Sequence, residues 1–154
     1  MKRWIAVLFF AFGLGMSVFV WAAIRATEIE QESAEAAALA FSSAKAPFST
    51  SQPIVRQNGS GDMIRRTVPE SDEQEKARHL HILAFEIEKE RLSRTRVPLW
   101  FLSLKERPLR FLLARTGADL AELDLSVDEL RAVGPRLVFD EAELSGSRVL
   151  IWTE

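Results

Sequence analysis

Histidines are few in this chain, His79 and His81 alone, and cysteine and tyrosine are absent. That narrows the groups available for nucleophilic, acid–base or metal chemistry, and it excludes disulfides and thiolate metal sites. Two imidazoles two residues apart diverge by about 200° on a helix and share a face only on a strand. Around them, Ser71 and Gln74 have capping-box spacing, and Ala77, Leu80, Leu83, Ala84 and Ile87 recur every three or four residues. This spacing predicts a helix from Ser71 to about Ser93, on which the histidines part, with no third ligand to complete a zinc set.

The other candidate motifs fare no better. Ser42-Ser43-Ala44-Lys45 matches the Ser-x-x-Lys pattern, but it lies in a Ser-rich stretch without the partner motifs or the packed pocket a lysine base needs. Asn58-Gly59-Ser60-Gly61-Asp62 lacks the Lys-Ser/Thr that would follow in a phosphate loop. Asp140, Glu141 and Glu143 border a predicted turn, where solvation keeps paired carboxylates ordinary. No catalytic, cofactor-binding or metal-binding residue is therefore expected, and the chain reads as non-enzymatic.

Charge is distributed more informatively. From Lys89 to Arg115 the chain is net +6, and from Thr116 to Glu154 net −6. Arg107, Arg110 and Arg115, interleaved with Trp100, Phe101 and Phe111, are the residue types a lipid surface or an anionic partner would meet. The competing expectation is that the aromatics form core and the two halves pair with each other.

The elements that must position these groups begin with residues 4–24, twenty-one uncharged residues between Lys2–Arg3 and Arg25. As a helix this stretch spans the roughly 30 Å hydrocarbon core of a bilayer, with Trp4 and Trp21 near the headgroup levels. The basic N-terminal flank predicts a cytoplasmic N-terminus and, in a bacterium, a single-pass inner-membrane protein with its C-terminal domain in the periplasm. Cleavage after Ala22 would instead give a secreted product, but the apolar stretch exceeds the usual h-region of about 7–15 residues. Ala11, Gly15, Gly13 and Ser17 form overlapping small-xxx-small pairs suited to helix association and a homodimer.

The remaining domains are expected as 26–68, a juxtamembrane helix and flexible linker, and 69–154, a small α+β domain, mostly helical and ending in a β-hairpin. Residues 26–41 are Ala- and Glu-rich; 42–68 are rich in Ser, Pro and Gly. Ser126 and Glu129 form a second capping box, Gly134-Pro135 ends that helix, and the runs at 137–139 and 149–152 predict the hairpin. Leu83, Ile87, Trp100, Phe111, Leu137 and Ile151 are the expected core.

The function that fits is a membrane-anchored accessory, assembly or scaffolding protein with a membrane or envelope protein as partner. A lipid-contacting module using residues 97–115 is the alternative. Helices followed by a hairpin also resemble winged-helix order, but a DNA-binding role needs a cytoplasmic domain, so no nucleic acid is expected.

Overall fold

The computed structural model describes residues 27–58, 62–67, 76–102, 125–144 and 146–154, with no side-chain description for 141–144. Its centre is a seven-stranded mixed sheet: β1 (Thr27–Gln31), β2 (Val55–Gln57), β3 (Met63–Arg65), β4 (His79–Glu86), β5 (Arg91–Pro98), β6 (Arg136–Leu144) and β7 (Ser147–Thr153). Across the sheet the order is β1-β5-β4-β7-β6-β2-β3. All neighbours are antiparallel except β2 and β6, which run parallel with Val55 opposite Phe139. The helices are α1 (Ala34–Lys45), continued by a 3₁₀ turn at Ala46–Phe48, α2 (Leu99–Leu102) and α3 (Val127–Ala132).

This overturns the expectation of a mostly helical domain. Where a helix was expected from Ser71 to Ser93, the chain forms β4, a turn at 87–90 and β5. The apolar residues of β4 follow one another because both faces of this central strand are covered. Leu80, Ile82 and Ala84 enter one core, and Leu83 and Phe85 enter the other. Burial on two faces erases the alternation that identifies a half-buried strand. The Ser71–Gln74 capping box lies outside the described residues.

The two cores define the layers. On one face, α1 lays Ala37 and Phe41 against Leu83, Phe85, Leu92, Leu137 and Leu150. Ser33 caps α1, its hydroxyl accepting from the Ala36 amide at 3.2 Å, which is why the helix starts there and not at residue 26. On the other face, Leu99, Leu102, Leu130 and Val133 cover Leu80, Ile82, Val138, Phe139, Val149 and Ile151. Residues 27–57, expected as anchor extension and tether, thus supply two strands and the helix covering one face. Of the expected core, Leu83, Leu137 and Ile151 are buried, whereas Ile87 and Trp100 are exposed and Phe111 lies outside the described residues.

The C-terminal half follows the sequence expectation more closely. β6 and β7 form the hairpin, with register shifts between Leu137 and Phe139 and between Phe139 and Ala142. The Ser126–Glu129 capping box is present in both directions, at 3.1 and 2.9 Å. Gly134 leaves α3 at φ 68°, a conformation that costs a β-carbon-bearing residue and suits glycine. Thr153, fully buried, closes this end of the hairpin: its hydroxyl donates to the Gly134 carbonyl (2.6 Å) and accepts from the Arg136 amide (3.1 Å).

Candidate functional site: a groove beside the first helix

The strand that replaced the expected helix also reunites the two histidines. His79 and His81 sit on the α1 face of β4, with ring centroids 6.4 Å apart. Ladder register places Arg96 opposite His81 on one side and Trp152 on the other. Trp152 stacks on His81 at 4.9 Å and 13°. An Nη of Arg96 reaches Nδ1 of His79 at 3.4 Å. One register step along, Arg94 on β5 pairs with Glu30 on β1.

These side chains floor an open groove of about 540 Å³, bounded by Ala40 and Ala44 of α1 and by Glu28 of β1. Ala40 and Ala44 are one helical turn apart and share a face, so α1 meets the sheet here without bulk to fill the space. Phe41, next to Ala40, packs into the core, and the Arg148 guanidinium lies 5.2 Å from its ring centre.

His81 carries the perturbed electrostatics of this groove. Burial pushes its imidazole below the ordinary value of 6.5. The Glu154 carboxylate pulls it back up, and the Arg96 and His79 charges push it down again. Nε2 of His81 is 2.9 Å from Oε2 of Glu154, ion-pair distance, yet lacks hydrogen-bond alignment. The neutral ring is therefore favoured near pH 7, and it presents a flat, stacked imidazole–indole surface beside two guanidinium groups. Such a surface offers donors and an aromatic platform to a polar partner. Among the described residues no group of three His, Asp or Glu is arranged to hold a metal.

The residues singled out from sequence are placed unevenly. Trp100 is on α2, 58% exposed, with its ring edge-on to Phe101 at 6.1 Å. Arg107, Arg110 and Arg115 lie outside the described residues, as do Ala11, Gly13, Gly15 and Ser17. The Ser-x-x-Lys motif falls in the last turn of α1 and is structural. Ser42 donates back to the Leu39 carbonyl at 2.9 Å, and Lys45 pairs with Asp140 at 2.7 Å. The Asn58 side chain accepts from the Asp62 amide at 2.8 Å, and Gly59, Ser60 and Gly61 lie outside the described residues. His81, Trp152, Arg94 and Arg96 were not expected to meet. The sequence signal that could have found them is period-two spacing within both β4 and β5, legible only once the two are known to be strands.

Comparison with protein-family models, curated proteins and solved structures finds no match to this chain. The functional reading therefore stands on the geometry.

Proposed function

We propose that this chain is a non-catalytic, single-pass membrane-anchored accessory or assembly protein. Residues 4–24 are the anchor, and the sheet domain presents the groove beside α1 to a protein partner outside the cytoplasm. One observation carries the reading: β1 starts at Thr27, only two residues separating it from the end of the apolar stretch at Ile24, and is paired along its whole length with β5. The sheet is thereby mounted directly on the anchor instead of trailing on a long spacer. A short mount fixes the height of the groove above the bilayer and raises the effective concentration toward a membrane partner. Among the described residues no helix is long and apolar enough to cross a membrane, and residues 4–24 lie outside them.

The test combines topology with contact. A C-terminal alkaline phosphatase fusion should be active, uncleaved and resistant to carbonate extraction. A photo-crosslinking residue in place of Arg94 should give one discrete adduct in membranes, and the same residue at Glu88, away from the groove, should not. An inactive fusion despite verified expression, or a product cleaved after Ala22, would overturn the anchored extracytoplasmic reading. Indistinguishable labelling from positions 94 and 88 would overturn the groove as contact surface.

A further inference from the structure

Among the described residues the two ends of the sheet differ in charge, and β1, the first strand after the apolar stretch 4–24, starts toward one of them. Thr27 pairs with Thr95, three residues before β5 ends at Pro98, so β1 starts toward the end of the sheet at which the chain turns into α2. At this proximal end Lys76, Arg78, Arg96 and Trp100 are all exposed. The Leu99 amide donates to the Arg78 carbonyl at 2.8 Å, which holds Arg78 at the start of α2, next to Trp100. Among the described residues, the acidic groups nearest this end are Glu28 on β1, Asp128 on α3, Glu154, which faces His81, and Glu129, which pairs with Arg65. Glu70, Asp72, Glu73 and Glu75, which precede Lys76 in the sequence, lie outside the described residues.

The opposite end has the opposite character. The Glu32 amide donates to the Glu90 carbonyl at 3.0 Å, joining β1 to the 87–90 turn. Glu32, Glu86, Glu88 and Glu90 gather there against Lys89 and Arg91, both of which pair with Glu86, and against Arg148, which lies opposite Phe85. An eight-residue strand such as β5 separates the two ends by about 26 Å.

Distance makes this polarity consequential. Three trans peptide steps from Ile24 to Thr27 reach at most about 11 Å. With residues 4–24 across the hydrocarbon core, Thr27 therefore stays at or near the headgroup layer, which is roughly 5–8 Å thick on each side. The end that carries Lys76, Arg78, Arg96 and Trp100 is then the end beside the lipid, and Trp100 has the half-exposed indole that favours that boundary.

We propose that Lys76, Arg78, Arg96 and Trp100 dock the domain on the anionic phospholipid headgroups around its own anchor, standing the sheet upright with its acidic end outward. This orientation rests on the anchoring proposed above and adds a lipid partner to it. Each cation near an anionic surface favours the docked state about fivefold, so removing three shifts the docked-to-undocked ratio about a hundredfold.

The experiment uses the full chain in nanodiscs whose lipids carry a headgroup-level fluorescence quencher. Trp100 emission is isolated as the difference between the chain and Trp100→Phe. In anionic discs at low salt Trp100 should be strongly quenched. Quenching should fall in zwitterionic discs, and in about 1 M salt, where the screening length is roughly 3 Å. The triple variant Lys76→Glu/Arg78→Glu/Arg96→Glu should lose it with an unchanged circular dichroism spectrum; the salt series on the unmutated chain tests the same point without mutation. Equal quenching in anionic and zwitterionic discs, or an unquenched Trp100, overturns the docking while leaving the anchor intact. Trp100 unquenched by lipid yet shielded from iodide in native membranes would place a protein there and overturn the lipid assignment. Release of the whole chain by carbonate would overturn the anchoring reading, and the orientation with it.

Discussion

Replacing Phe41 by alanine tests whether α1 is part of the folded domain or an extension of the anchor. The ring is 1% exposed and packs with Leu83, Phe85, Leu92, Leu137 and Leu150, residues of four strands. Truncating a buried phenylalanine to alanine costs about 3–5 kcal/mol, as lost transfer energy plus the cavity left behind. The Arg148 guanidinium over the ring adds about 0.5–1 kcal/mol at a partly exposed site. Against a total stability of about 5–15 kcal/mol, that is a large fraction. With a urea dependence near 2 kcal/mol per molar, a loss of about 4 kcal/mol lowers the unfolding midpoint by about 2 M. Leu39→Ala is the internal control, because Leu39 is on the same helix but 66% exposed. It should change stability by no more than about 0.5 kcal/mol. Pulse proteolysis of the full chain across a urea series reads both. Equal midpoints for the two variants would refute the packing of α1 on the sheet and restore a free juxtamembrane helix.

Three more expectations follow from particular groups. Burial holds the His81 pKa below 6.5 in the fold, so the unfolded chain binds the extra proton first as pH falls. Stability should therefore be full above about pH 6.5 and decline below it, and His81→Gln should flatten the change in urea midpoint between about pH 7.5 and 5.5; an unchanged slope would exclude His81 as its source. Thr153→Val keeps the shape but strips the hydroxyl from the Gly134 carbonyl and the Arg136 amide, and should destabilise by about 1–3 kcal/mol in the same urea assay. Ser126→Ala removes one direction of the capping box and should cost about 1 kcal/mol, seen as faster amide exchange within 127–132; unchanged exchange would show that tertiary contacts alone hold α3.

Local chemistry marked the C-terminal half well. The Ser126–Glu129 cap, the Gly134 exit and the β6–β7 hairpin are each specified by neighbours within a few residues, and a hairpin needs only a turn and two apolar runs. The β4–β5 hairpin escaped for a local reason as well. Its turn, Ile87-Glu88-Lys89-Glu90, has no Gly, Pro or Asn, and Glu90 adopts φ 46° without a residue type that announces it. Leu80, Leu83, Ala84 and Glu86 are good helix formers, so propensity and spacing agreed on the wrong element.

Of this protein, the sequence alone determined the uncharged stretch at 4–24, the absence of cysteine chemistry, the capped α3 and the closing hairpin. Only the tertiary structure decided that residues 27–57 join the sheet, that His81, Trp152, Arg94 and Arg96 line one groove, and that Trp100 is exposed at the start of α2. The physical reason is range. β1 meets β5 across sixty or more residues of chain, and β2 meets β6 across more than eighty, so each strand takes its stability from a partner that no local window contains. Once those pairings exist, a period of two replaces the apparent helical stripe, and the side chains that share a face follow from register.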